Sequence, residues 1–224
     1  MAFFERDGVR IYYEVHGEGF PILLIAPGGM QSAVSFWQTT PWNPIEQLCE
    51  HFQVIAMDQR NAGQSTAPVT GDDGWHVYTD DQLSLLDHLG VERFHVAGMC
   101  IGGSYIMGLI QAAPERVASA VVFQTIGLDD NRQAFYDMFD SWAEKLKAER
   151  SDVPEGAWSS FRESMYGGDF LFTVDRDFVR NCDTPLLVLC GRDLYHPEAS
   201  SRELAELARS AELIEHWKEG EDLI

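Results

Sequence analysis

The sequence predicts an α/β fold: a mostly parallel, twisted sheet with helices on both faces. Three observations carry this. Short, nearly continuous apolar runs recur at 20–29, 52–60, 94–98, 117–124 and 184–193, the pattern of strands buried on both faces. Helical periodicity alternates with them, which implies parallel pairing through crossovers. At the start, Asp7-Gly8 divides two aromatic and β-branched runs over 3–15, a strong signal for an antiparallel hairpin.

Taken in order, the hairpin comes first, followed by strands at FPILLIAPGG (20–29) and FQVIAMDQR (52–60). The segment Thr79 to Leu89 spaces Leu83, Leu86 and Leu89 on one helical face, offers Thr79 or Asp80 as N-cap and stops at Gly90. Strands at FHVAG (94–98), VASAVVFQ (117–124) and TPLLVLCGRD (184–193) follow, and AELIEHW (211–217) reads as the last strand. Between Gly127 and Cys182 the alternation breaks into helix-like, aromatic-dense sequence with no buried-strand run. The expected organisation is a core domain of residues 1–126 and 182–224, interrupted by a small helical cap at 127–181.

Composition narrows the function. At 224 residues the chain suits one domain carrying a modest insertion. No run approaches the roughly 20 apolar residues of a membrane span. Thirty-six acidic against 16 basic side chains give a net charge of −20, which disfavours nucleic acid and anionic membrane as partners. Cys49, Cys100, Cys182 and Cys190 lack zinc-site spacing, and MAFFERDGVRIYY has no basic-then-apolar signal pattern. Free thiols, a cytoplasmic location, no metal and no cofactor are expected; the partner is a small-molecule substrate, with a homodimer allowed.

One turn carries the chemistry. Gly98-Met99-Cys100-Ile101-Gly102 has the nucleophile-elbow form, a strained strand-to-helix turn that lifts one side chain above a sheet. Side chains in place of its glycines would collide with the neighbouring strand and helix. APGGMQSA (26–33) and DQRNAGQS (58–65) follow two of the strands, and LLVLCGRD ends a third in Asp193.

These four motifs, in this order, resemble the α/β-hydrolase family over nearly the whole chain. The resemblance implies an α/β-hydrolase fold, with Cys100 as nucleophile and the backbone N–H groups of Gly29 and Ile101 as an oxyanion hole. It makes Asp193 the acid that orients a histidine. Pro27-Gly28 stands where the family carries His-Gly, and Asn61 replaces a glycine, being one of the few residues that tolerate the left-handed conformation. Cysteine at the elbow resembles the dienelactone hydrolases. It favours activated esters, thioesters and lactones over amides, because thiolate is both a good nucleophile and a good leaving group.

The resemblance fails at the histidine, which the family places beyond the last strand, where this chain reads KEGEDLI. A closing helix is also missing, so a C-terminally shortened chain or a minimal variant is expected. His216 is nearest but falls within the presumed strand. His196, three residues past Asp193 at a strand's carboxyl end, reads either as a loop residue before Pro197 that caps or lines the entrance, or as the base or a substrate-positioning group. His76 reads as a surface-loop residue, and Asp58 and Arg60 as braces of their turn. Tyr136, Phe139, Trp142, Trp158, Phe161, Met165 and Tyr166 are expected to bury against the core, some facing the crevice above Cys100 and favouring an apolar acyl group. The leading expectation is a hydrolase or acyltransferase forming a thioester at Cys100. Its rivals are a ligand-binding or scaffold relative without catalysis, and a lyase in the same pocket.

Overall fold

The computed structural model describes residues 2–40 and 42–218. Strands β1 (Ala2–Arg6) and β2 (Val9–His16) pair antiparallel across Asp7 and Gly8, both at positive φ (50° and 81°). This turn matches the right-handed twist of the strands it joins. The remaining strands are β3 (Phe20–Ile25), β4 (Phe52–Met57), β5 (Phe94–Met99), β6 (Val117–Phe123), β7 (Leu186–Leu189) and β8 (Ala211–Ile214). They form one sheet in the order β1-β2-β4-β3-β5-β6-β7-β8. The β2–β4 pair is antiparallel and every pair from β4 to β8 is parallel.

The helices are α1 (Pro44–Leu48), α2 (Trp75–His88), α3 (Gly102–Ala112), α4 (Arg132–Lys147), α5 (Glu155–Tyr166), α6 (Arg176–Arg180) and α7 (Glu198–Leu207). Alternate residues of the central strands supply two cores. Leu23, Ile25, Ile55, Met57 and Val96 face α2 and α3, while Ile22, Leu24, Val54, Ala56 and Ala97 face Trp37 and α1. Period-two burial on both faces explains why these strands read as unbroken apolar runs. α4, α5 and α6 all lie between β6 and β7, in the stretch without strand signal.

Two local expectations need correction. The helix expected from Thr79 begins at Trp75, with Gly74 as its N-cap, because burial of Trp75, whose indole donates to the Met165 carbonyl at 2.7 Å, recruits another turn. Its most buried face is Tyr78, Gln82, Leu85 and Leu86, with Leu83 and Leu89 of the anticipated row partly buried against the same core, and His76 therefore lies in a helix, exposed. The last strand ends at Ile214, so His216 follows it instead of lying within it. The KEGEDLI loop from residue 219 onward lies outside the described residues.

Register places the chemistry-bearing loops together. Ile25 pairs with Gly98, Met99 with Phe123, and Phe123 with Leu189. The carboxyl ends of β3, β5, β6 and β7 thus line one edge, where open α/β sheets gather their sites.

Candidate active site

Cys100 stands between β5 and α3 at φ 62°, a left-handed conformation that costs a non-glycine residue about 1–2 kcal/mol. Three backbone hydrogen bonds hold it there. Its N–H donates to the Phe123 carbonyl at 3.0 Å, and its carbonyl accepts from Gly103 at 3.1 Å and Ile126 at 3.2 Å. A Cβ on Gly98 would lie 3.0 Å from the Gly102 backbone, one on Gly102 3.1 Å from the Ile25 carbonyl, and one on Gly103 2.2 Å from Thr125 Oγ1. The collisions expected from the sequence are the ones the elbow avoids by using glycine.

Gly29 follows β3 at φ 57°. The loop is fastened by Ser32, whose hydroxyl donates to the Ala26 carbonyl at 2.6 Å. Asp58 accepts from Val34 N–H and Gln64 N–H, each at 2.7 Å. Met138 of α4 lies over Gly29, its sulfur 2.6 Å from where a Cβ would stand. Among the described residues, the N–H groups of Gly29 and Ile101 donate to no protein carbonyl or side chain. Asp58 and Arg60 brace their turns as expected. The Arg60 guanidinium bonds Asp81 at 2.7 and 3.1 Å, with both side chains buried.

Beyond β7, residues 193–196 form one tight turn, with His196 N–H donating to the Asp193 carbonyl at 3.1 Å and the reverse bond at 3.2 Å. Asp193 Oδ1 also accepts from Tyr195 N–H and His196 N–H at 3.1 Å and meets His196 Nδ1 at 2.7 Å. Gly191 makes this possible, since a Cβ there would lie 2.5 Å from the His196 carbonyl. Partial burial works to raise the Asp193 pKa, but its bonds to His196 and Tyr195 outweigh this and hold the carboxyl below its ordinary range.

The His196 side chain is 12% exposed. Burial works to lower its pKa, yet the adjacent Cys100 thiol and then Asp193 more than offset this, leaving the imidazole above its ordinary value. Nε2 is buried and closes no hydrogen bond. After burial, the Cys100 thiol is the leading influence on the same imidazole. Cys100, His196 and Asp193 are brought together. His216 instead faces Arg192, 3.1 Å from its guanidinium, at the surface.

Above the elbow, Phe139, Trp142, Trp158, Phe161, Met165 and Tyr166 are buried, as expected of their spacing, whereas Tyr136 is only half-buried. The Tyr166 hydroxyl reaches Met30 Sδ at 3.5 Å. The sequence reading missed Met138, which has no motif to mark it, and Asn131, whose place just before α4 is a recognisable cap signal. Among the described residues no group of His, Cys, Asp and Glu is gathered to hold a metal ion, and no helix is long and apolar enough to cross a membrane.

Comparison with known proteins adds four findings. A family described as alpha/beta hydrolase fold matches residues 21–162. A putative carbamate hydrolase RutD of Azorhizobium caulinodans is 42% identical over 122 residues, 54% of this chain and 43% of that protein, so the match spans less than half of the relative's length. A bifunctional esterase/perhydrolase of Acinetobacter calcoaceticus is 26% identical across 94% of this chain and 89% of its own. Among solved structures, the enol-lactonase from Burkholderia xenovorans superposes with a TM-score of 0.70 at 22% identity, covering 95% of this chain and 90% of that one.

Proposed function

Because the chain belongs to the alpha/beta hydrolase fold family, we propose that it is a hydrolase that uses Cys100 as nucleophile on activated acyl compounds. The observation that carries this is His196, with Nδ1 on Asp193, Nε2 buried and unpartnered, and the Cys100 thiol acting on its ring. In this reading the base is a histidine carried on the acid's own turn.

In this reading, His196 Nε2 takes the thiol proton as Cys100 Sγ bonds to the acyl carbon. The resulting oxyanion accepts from the N–H groups of Gly29 and Ile101, which have no competing partner among the described residues. Collapse breaks the bond to the leaving group, which takes the proton from the imidazolium. Water, deprotonated by the same imidazole, then attacks the thioester; release of the acid returns the proton to Cys100. Asp193 holds the tautomer in which Nε2 accepts. An open Cys100–His196 contact suits a site before substrate tightens it.

Residues 127–181 act as a cap whose aromatic and methionine side chains favour a small, largely apolar acyl group, with Met138 shaping the space over Gly29. The esterase relative agrees with ester chemistry. The His196–Asp193 pair favours catalysis over a non-catalytic binding role. Cysteines that are all free suit a reducing cytoplasm.

The test is hydrolysis of p-nitrophenyl acetate and a phenyl thioester, with intact-mass detection of an acyl adduct. Turnover and an adduct, both abolished in Cys100→Ala, are expected. No turnover, no adduct and an indifferent Cys100→Ala would overturn the reading.

A further inference from the structure

His196 and Cys100 sit on loops that follow different strands, so something must fix their separation. We propose that Asn131 is the positioning residue that does so, its side-chain amide tying the turn 193–196 to the segment 124–127 that holds the elbow. This rests on the roles given above to Cys100 and His196.

Asn131 is 4% exposed. Its Nδ2 donates to the Leu194 carbonyl at 2.7 Å and to the Gly127 carbonyl at 3.1 Å, while its Oδ1 accepts from Asp129 N–H at 2.9 Å. Carbonyls only accept and an amide N–H only donates, so the orientation of this side chain is chemically determined. Leu194 lies between Asp193 and His196, and its side chain is exposed, so it anchors nothing. The backbone of that turn is instead gripped through its carbonyl.

The other end of the bridge leads to the nucleophile. Gly127 follows Ile126, whose N–H donates to the Cys100 carbonyl at 3.2 Å, while Cys100 N–H is held by Phe123. Gly127 is also closely approached by α7, since a Cβ on it would lie 2.2 Å from Ser200 Oγ. Asn131 therefore joins the backbone that fixes Cys100 to the backbone that fixes His196. The Tyr195 ring against Phe135 of α4, 5.5 Å between centroids, is the other support of the turn from that side. Nε2 and the thiol must close on each other during the reaction, and a displacement of about 1 Å costs roughly a hundredfold in rate.

Asn131→Asp separates this from a plain capping role. Aspartate keeps the shape and the acceptor for Asp129 N–H and is an excellent residue before a helix, but it turns oxygens toward two carbonyls. The expected result is a protein that still folds, with a lowered melting temperature, kcat for p-nitrophenyl acetate measured well below that temperature down about a hundredfold and KM within about twofold, since no substrate contact is touched. A second readout needs no activity: the His196 imidazole titration by NMR, assigned by its loss in His196→Asn. In the otherwise native protein, Cys100→Ala lowers that midpoint by removing the thiol that raises it. In the Asn131→Asp background the same change leaves it where it was. Should Asn131→Asp not fold, Asn131→Ser is read the same way. Native kcat together with an intact response to Cys100→Ala overturns the inference. A native protein that hydrolyses nothing sinks the proposed function instead, while the titration cycle still decides the role of Asn131.

Discussion

His196 Nδ1 lies 2.7 Å from Asp193 Oδ1, and the two residues are three positions apart in one turn. The same carboxylate oxygen accepts two backbone N–H groups of that turn, so it holds both the ring and the loop that carries it. Asp193→Asn keeps an acceptor but loses the charge that stabilises an imidazolium. A fall of about 10²- to 10⁴-fold in kcat/KM is expected, with the fold intact by circular dichroism. Activity within a few-fold of native would show that His196 works without its carboxylate.

The pH dependence has a definite sign. His196 must be neutral to take the thiol proton, and its pKa in the fold is raised above the ordinary 6.5, chiefly by Cys100 and Asp193 acting against burial. The rate of p-nitrophenyl acetate hydrolysis should therefore climb with pH through a midpoint above about 6.5. Stability follows the same linkage. A raised histidine pKa contributes fully below the unfolded value and is lost as pH rises through the folded one. Urea unfolding should find His196→Asn more destabilising, relative to native, at a pH below 6 than at one above 8.

The fold was legible because its strands are buried on two faces, and a strand so placed can only be an apolar run. The elbow was legible because a side chain at Gly98 or Gly102 would crowd the backbone of α3 or β3 at 3.0–3.1 Å, so glycine marks both positions. Helix α2 was misread at its start because Trp75 is held by a carbonyl 90 residues away, a tertiary bond that no local pattern announces. The roles open to His196 could not be separated by spacing, since whether a loop histidine faces a nucleophile depends on strand register. β5, β6 and β7 pair so that their carboxyl ends align, and only that brings residue 196 to residue 100. Asn131 was invisible for a related reason: its two carbonyl partners, Gly127 and Leu194, are separated by 67 positions.

Gly103→Ala tests how tightly the elbow is braced. The added methyl would lie 2.2 Å from Thr125 Oγ1 and 2.5 Å from its Cβ. Thr125 is buried and belongs to the segment that bonds the Cys100 carbonyl, so it cannot yield without moving that segment. Overpacking of this kind costs about 1–3 kcal/mol, readable as a lower urea midpoint. Alkylation of Cys100 by iodoacetamide should slow as well. An unchanged midpoint with unchanged alkylation would mean that the turn accommodates the methyl freely.

Arg60 offers a test of the frame beneath the site. Its guanidinium is buried between Asp81, at 2.7 Å, and Asp73, at 3.6 Å, and so joins the turn after β4 to α2 and the loop before it. Burial alone raises the Asp81 pKa, and Arg60 is what opposes that rise. Arg60→Met removes the partner while leaving the buried carboxylates, which costs about 3–5 kcal/mol. Adding Asp81→Leu removes one stranded charge, so the double variant should unfold at a higher denaturant concentration than Arg60→Met alone, as buried pairs replaced on both sides by apolar groups lose little. A double variant that is weaker than the single one would mean that Asp81 has a stabilising role independent of Arg60, served by its remaining neighbours.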